Sequence, residues 1–445
     1  MQLIQFPLAF FSEIFSLGKA VDQAFVSERF ADTDSLATTS PLLWTTNLSK
    51  RYDGDHRENQ CDFFSPPGIN MPTTTFYDLD GTLTFGGKKS PHTPNELETQ
   101  YCRVVERRQF SWTSHHRLIR LLGTGGQGKV YLSEQRGADG FTLPVAVKVF
   151  SPERYDDTRN YEEAMTRIAE VSARVAQIQH EHLMDVHNFV DRDRIRMMVM
   201  EWIDGYDLAC LLRNPMLDRI RDRVSQRRWE YINRVTVTQG KTQPRLKPGI
   251  AVAVVRDCLA ALAALHREEI VHGDIKPSNI MLKRSGTAKI VDIGAAFKLS
   301  DLPSQRTCTP TYAAPEVLEG TECTPRSDLA SLGYVLIELL SGRPPFSGIT
   351  ELRDLLEAKR FLPQRLPDLL PQDVTCNELL MNFCRGLVAP DPMRRFPSAE
   401  AADLRQQGAA AFHRQLVKSD LSSEYEHELR MWLEELRELD NLESA

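Results

Sequence analysis

A change in hydrophobic period, from two to about 3.6, divides this chain and narrows the folds open to it. Residues 117–135 (RLIRLLGTGGQGKVYLSEQ) read as a strand, a glycine turn and a second strand. Residues 143–150 (LPVAVKVF) read as another strand, β-branched and nearly continuous. A helix follows, with Met165, Ile168, Val171, Val175 and Ile178 at spacings of three and four. Beyond residue 205 the pattern is mostly helical. IAVAVVRDCLAALAALHR (250–267) reads as a long buried helix, and SDLASLGYVLIELLSG (327–342) as another, closed by Gly342. This order predicts an α+β chain with a β-rich small lobe over 114–205 and a helical large lobe over 206–411.

Composition excludes some classes. The 445 residues are 41% hydrophobic and 26% charged, enough for a large core and not disordered in character. A net charge of −7 weighs against broad nucleic-acid binding. The eight cysteines, Cys61, Cys102, Cys210, Cys258, Cys308, Cys323, Cys376 and Cys384, form no C-x-x-C pair. They read as free thiols in a reducing, cytoplasmic setting. No apolar run is long enough to span a bilayer. The apolar first twenty residues are interrupted by Pro7, Glu13 and Lys19 and lack a basic start, so a secretory signal is not expected. Residues 1–28 read either as a peripheral contact with a membrane or partner, or as a helix packed on the protein itself. Residues 30–75 show no sustained period, and 86–96 are rich in turn residues. Residues 1–113 are therefore expected to be a partly irregular N-terminal extension.

Four glycines, Gly123, Gly125, Gly126 and Gly128, precede Val130 and Tyr131. Without a Cβ, a glycine backbone can come close to phosphate oxygens. G-x-G-x-x-G alone is weak, because it also marks dinucleotide-binding folds, where a helix follows. Here a β-branched, aromatic segment follows, which favours a strand–turn–strand flap. Lys148 emerges from the apolar strand Val145-Ala146-Val147, and such a lysine is costly without an anionic partner. A phosphate and a helix carboxylate would supply two.

The strongest motif is Val271-His272-Gly273-Asp274-Ile275-Lys276-Pro277-Ser278-Asn279. It resembles the catalytic loop of the eukaryotic-type protein kinase family, H-R-D-x-K-P-x-N, in all but the arginine, which is Gly273. The resemblance implies a bilobal kinase-like fold and Mg²⁺-dependent transfer of the ATP γ-phosphate to a protein hydroxyl. It assigns Asp274 to the substrate hydroxyl proton, Lys276 to charge on the transferring group, and Asn279 to a metal ion. Asp292, 18 residues after Asp274 in Val291-Asp292-Ile293-Gly294, matches the metal-binding aspartate of D-F-G, with isoleucine for phenylalanine. Cys308-Thr309-Pro310-Thr311-Tyr312-Ala313-Ala314-Pro315-Glu316 resembles the G-T-x-x-Y-x-A-P-E segment. Thr309 then contacts the catalytic aspartate and, with Lys276, argues for serine/threonine substrates. Glu316 is expected to pair with Arg395, and Asp328 to brace the catalytic loop.

The resemblance places Gly123, Gly125, Gly128, Val130, Ala146 and Lys148 around ATP. It makes VMEWIDGYDL (199–208) the hinge, with Met200 as gatekeeper, adenine on the backbone of Glu201 and Ile203, and Asp207 near the ribose. Glu170 is the expected helix partner of Lys148. It lies ten residues before His180, one more than the family pattern, and Arg174 stands where an apolar residue is expected. Glu163 is the alternative. Gly273 deprives a phosphate on the activation segment of a bidentate partner. Catalysis is therefore expected not to require phosphorylation of Thr307, Thr309 or Thr311, and Thr307→Ala is expected to retain substantial activity in a phosphotransfer assay.

Three regions lie outside these motifs. Residues 213–247 carry ten Lys/Arg and three Asp/Glu, either a basic insert that docks an acidic partner, substrate or membrane, or a solvated helical hairpin. Residues 419–445 carry nine acidic and two basic residues, with Leu429, Trp432, Leu433, Leu436 and Leu439 on one stripe. They predict a terminal helix within 412–445 packed on the large lobe, with a dimer or partner helix as the alternative. Asp78-Leu79-Asp80-Gly81-Thr82 resembles the first motif of haloacid-dehalogenase-type phosphotransferases. Only about thirty residues separate Thr84 from residue 114, too few for such a domain, so the run reads as a turn, such as a hairpin on the small lobe. Two competing functions remain: a pseudokinase-like nucleotide-binding scaffold, which Lys148, Asp274, Asn279 and Asp292 argue against, and a small-molecule kinase, which the A-P-E segment argues against. Substrate, activating input and oligomeric state are not read from the sequence.

Overall fold

The computed structural model describes residues 83–85, 95–107, 109–111, 115–303, 306–418 and 425–444. The expectations for residues 1–28 and 30–75, and all of the D-x-D-G-T run, fall outside these residues. Strand β1 (Leu83–Phe85) comes first, followed by helix α1 (Glu96–Glu106). The small lobe is a six-stranded sheet of β2 (Gln109–Ser111), β3 (His115–Gly125), β4 (Gly128–Arg136), β5 (Thr142–Phe150), β6 (Val186–Arg192) and β7 (Ile195–Glu201). Its order is β2-β3-β4-β5-β7-β6, antiparallel throughout. Helix α2 (Thr158–Val175) packs against it through Tyr161, Met165, Val171 and Val175.

The large lobe opens with β8 (Gly205–Asp207) and helices α3 (Leu208–Leu211), α4 (Asn214–Arg221) and α5 (Gln226–Val235). A short hairpin of β9 (Val237–Gln239) and β10 (Pro244–Leu246) leads into α6 (Pro248–Arg267). Among the described residues α6 alone is long and apolar enough to cross a membrane, and most of it is buried in the lobe. The strands β11 (Ile270–Val271), β12 (Ile280–Lys283), β13 (Ala288–Ile290), β14 (Phe297–Lys298) and β15 (Arg306–Cys308) follow. Helices α7 (Pro315–Leu318), α8 (Pro325–Ser341), α9 (Leu352–Leu369), α10 (Gln372–Thr375), α11 (Glu378–Leu387), α12 (Ala399–Leu404), α13 (Ala409–Lys418) and α14 (Tyr425–Ser444) complete the chain. The fold is bilobal α+β, a sheet with one long helix followed by a helical body. Helix α8 ends where Gly342 takes φ 67°, a conformation that a side chain would strain.

The two charged segments meet each other. Arg219 binds Asp440 at 2.7 Å, Arg228 binds Glu435 at 2.7 Å, and Tyr231 donates to Glu428 at 2.9 Å. Tyr206 of β8 also donates to Asp440. The acidic partner of the basic insert thus includes the chain's own last helix. The α14 stripe Leu429, Trp432, Leu433, Leu436 and Leu439 is buried. Two glycines make room for it: a Cβ on Gly249 would strike the Tyr425 ring, and one on Gly286 the Glu426 backbone. Strand β1, at the end of the run containing D-x-D-G-T, pairs with β15 in the register Leu83↔Cys308, Thr84↔Thr307, Phe85↔Arg306. Its partner is the segment before Thr309, rather than the small lobe.

Candidate active site

The floor of the site is one tight turn. Backbone N–H groups of His272 and Gly273 each donate to Asp328 at 2.9 Å, and His266 Nε2 lies 2.9 Å from the same carboxylate. Burial alone would raise the Asp328 pKa; the His266 hydrogen bond and charge, with His272 and the Gly273 N–H, hold it below its ordinary value. Asp328 is 1% exposed, so this anchor is sealed from water. Gly273 takes φ 76°, which suits glycine and brings the chain close to the Ala295 carbonyl.

On this base Asp274 is saturated with donors. Its Oδ1 accepts from Thr309 Oγ1 at 2.7 Å and from the Thr309 N–H at 3.1 Å. Its Oδ2 lies 2.8 Å from Lys276 Nζ and 3.2 Å from Asn279 Nδ2. Lys276 also donates to Thr309 Oγ1 at 2.9 Å, which closes a ring of three side chains. Asn279 Nδ2 donates to the Asp274 carbonyl at 2.8 Å, so its side-chain oxygen is the atom left to accept or ligate.

The hairpin β12–β13, with Ile280 opposite Ile290, brings Asp292 back beside this loop. Asp292 sits at φ 65°. Burial would raise its pKa, but Lys148 at 2.5 Å and the Gly294 N–H lower it to about 2. Its carboxyl is ionised at any working pH, as a ligand for a hard cation must be. Among the described residues no three His, Cys, Asp or Glu side chains form a metal site by themselves. One carboxylate and one amide oxygen fit Mg²⁺ that takes its remaining ligands from phosphate and water.

Lys148 is 3% exposed, and its ion pair is with Asp292, not with Glu170. Helix phase explains the difference. One residue along a helix turns its side chain by about 100°. Tyr161, Met165, Val171 and Val175 face inward, which leaves Glu170 and Arg174 exposed. Glu163 is no substitute, since it is exposed and pairs with Arg159 at 2.8 Å. The second partner of Lys148 is one the sequence reading missed. Gln127, inside the glycine turn, accepts from Nζ at 2.6 Å. Only its polarity amid glycines hinted at this.

The glycine hairpin pairs Gly125 with Gly128, and Gly123 with Val130. A Cβ on Gly128 would strike the Val149 carbonyl, whereas Gly123 and Gly125 face open space. Ala146 and Met200 are buried opposite each other in β5 and β7. Ile203 has no protein partner for its backbone N–H among the described residues, so an adenine edge can meet it. The Glu201 side chain holds Lys289 and accepts the Asp185 N–H at 2.6 Å, so it is structural rather than a solvated charge. Asp207 caps α3, accepting from the Cys210 N–H at 2.8 Å, and burial raises its pKa. One of its oxygens is therefore committed to the helix.

The segment beyond the site is pinned from several sides. Tyr312 donates to Glu338 at 2.5 Å, and Glu338 also accepts from Gln243 of the insert at 2.9 Å. Glu316 forms a two-pronged pair with Arg395 at 2.6 and 2.7 Å. Arg154, just before α2, donates to the Thr307 hydroxyl.

A family model described as the protein kinase domain matches residues 116–405. The serine/threonine-protein kinase PrkC of Bacillus subtilis (strain 168) is 28% identical over 300 residues, 65% of this chain and 39% of PrkC. The serine/threonine-protein kinase PknD of Mycobacterium tuberculosis (strain CDC 1551 / Oshkosh) is 32% identical over 288 residues, 64% of this chain and 38% of PknD. PknA of Corynebacterium glutamicum is 28% identical over 291 residues, 63% of this chain and 53% of that relative. The chain thus spans about two fifths to one half of the length of these curated relatives. A match over most of the chain, on a fold whose two lobes meet at Lys148, Asp292 and Asp274, shows that the chain belongs to the protein kinase family.

Proposed function

We propose that this protein transfers the γ-phosphate of ATP to a serine or threonine hydroxyl of a protein substrate, with Mg²⁺. The observation that carries this reading is the closed ring of Asp274, Lys276 and Thr309 beside Asn279 and Asp292. Thr309 and Lys276 fix the Asp274 carboxylate so that it can orient a substrate hydroxyl and take its proton as the oxygen bonds to phosphorus. The bond from phosphorus to the ADP oxygen breaks on the opposite side, and ADP leaves. Lys276 stands beside Asp274 to offset charge on the moving phosphoryl group, and Lys148 does so at the nucleotide phosphates. Asn279 and Asp292 would hold Mg²⁺, which when bound neutralises charge on the phosphate oxygens. Gly123, Gly125 and Gly128 cover the phosphates, and Met200 and Ile203 receive the adenine. The relatives' names as serine/threonine-protein kinases support the substrate class. The seven described cysteines are free thiols, which suits a cytoplasmic setting.

The test is transfer of labelled γ-phosphate from Mg-ATP to a protein substrate. Lys148→Met keeps the buried stem and removes the charge. It is expected to lower transfer on the order of 10²-fold or more, with the fold retained by circular dichroism. ATP binding without transfer by the wild-type chain would favour the scaffold reading.

A further inference from the structure

Helix α9 carries a fully buried lysine that the catalytic ring does not use. Lys359 is 0% exposed, and its Nζ donates to the Thr311 carbonyl at 2.6 Å. The ammonium lies 4.1 Å from the ring centroids of both Tyr334 and Phe346. No carboxylate pairs with it among the described residues; Glu316 and Cys308 act on it only at longer range, against a burial that pushes its pKa well down. A buried ammonium is costly unless hydrogen-bonded and paired. Here one carbonyl and two aromatic faces supply the compensation.

That carbonyl belongs to the segment 309–312. The Tyr312 N–H of the same peptide unit donates to the Thr309 carbonyl at 3.0 Å, so both polar ends of the unit are committed. Thr309 in turn holds Asp274 at 2.7 Å. An apolar side chain at 359 would leave the Thr311 carbonyl buried without this donor, and the unit would be held less firmly, with the Tyr312 N–H bond to the Thr309 carbonyl still in place.

We propose that Lys359 is a positioning residue for the protein substrate: through the Thr311 carbonyl it fixes segment 309–312, which starts at the Thr309 contact with Asp274 and is assigned here as the surface that docks the substrate peptide. This rests on the kinase reading above. The Lys359 side chain shapes the surface against which the residues after the phosphorylated hydroxyl lie, and its hydrogen bond goes to the Thr311 carbonyl rather than to Asp274, Lys276 or Asp292.

Lys359→Met in the full chain tests it. Methionine is apolar and of similar volume, so it keeps the packing, and the cost of leaving the Thr311 carbonyl without this donor is one that a folded large domain can carry. The expected result is a peptide KM raised roughly tenfold with ATP KM changed less than twofold. Residue preference after the acceptor position should broaden on a serine/threonine peptide library. Backbone amide exchange over 309–313 should quicken. Phe346→Leu, which removes one ring facing the ammonium, should shift the same quantities less. Unchanged peptide KM, library profile and exchange in a folded Lys359→Met protein overturns the proposal. So does loss of folding in both variants, which would make Lys359 a stability residue only. If the wild-type chain transfers no phosphate, the kinase reading falls, and amide exchange alone still decides whether Lys359 holds the segment.

Discussion

Asp274→Asn is expected to lower phosphoryl transfer by about 10²–10⁴-fold, the range for loss of a positioned general base. Asparagine matches the volume, so the fold and nucleotide affinity should stay near wild type. The defect lies in charge and hydrogen-bond direction. Asp274 receives two donors from Thr309 on one oxygen, and Lys276 and Asn279 on the other. An asparagine can turn only one oxygen toward these groups. Its NH₂ then faces either the Thr309 donors or the two nitrogens, and one side of the ring opens. The variant thus loses the proton acceptor and the order of its surroundings together. Initial rates with labelled ATP, set beside nucleotide affinity by titration calorimetry, measure both. A rate within a few-fold of wild type would remove Asp274 from the mechanism.

How much of this could be read in the sequence follows from how far apart the cooperating residues lie. Asp274, Lys276 and Asn279 share one turn, so their spacing alone sets their relation. Asp292 is reached through a short hairpin whose register leaves little freedom. That Lys148 pairs with Asp292 and Gln127 and with no carboxylate of α2 was not legible, because it depends on the rotation of α2 about its own axis. Apolar spacing gives the buried stripe of that helix but not which neighbouring side chain reaches the sheet. Lys359 and Gln127 carry no motif: a lysine in an amphipathic helix reads as solvated, and a glutamine in a turn reads as a spacer. Opposite charge in the insert and tail was plain in composition. That the two meet inside one chain depends on the start of α14, at Tyr425 and Glu426, finding Gly249 and Gly286. The pairing of β1 with β15 spans more than 200 residues, beyond any local pattern.

The largest effect on stability is expected at Arg395→Ala, a loss of about 3–5 kcal/mol, the range for stripping one partner from a buried ion pair. The Arg395 side chain is 0% exposed, and Glu316 is 11% exposed. Its guanidinium gives two bonds to Glu316 at 2.6 and 2.7 Å, and others to Ala389, Arg326 and Pro390 carbonyls at 2.7, 3.0 and 3.2 Å. All five of its N–H donors therefore have an oxygen. Alanine would leave those carbonyls short of a donor and Glu316 with Ser327, which donates at 2.8 Å, against a full buried charge. Urea unfolding followed by circular dichroism measures the loss, with an unchanged slope required for the comparison. The double variant Glu316→Met/Arg395→Met separates charge from packing. Removing both ions together should recover much of the stability, because the cost lies in a stranded carboxylate rather than in the pair's absence. Glu316 lies in α7, which starts at Pro315, shortly after segment 309–312, so the single variant should also raise the peptide KM. If Arg395→Ala unfolds within about 1 kcal/mol of wild type, water must reach Glu316, and the pair is not the closure of the large lobe that its geometry describes.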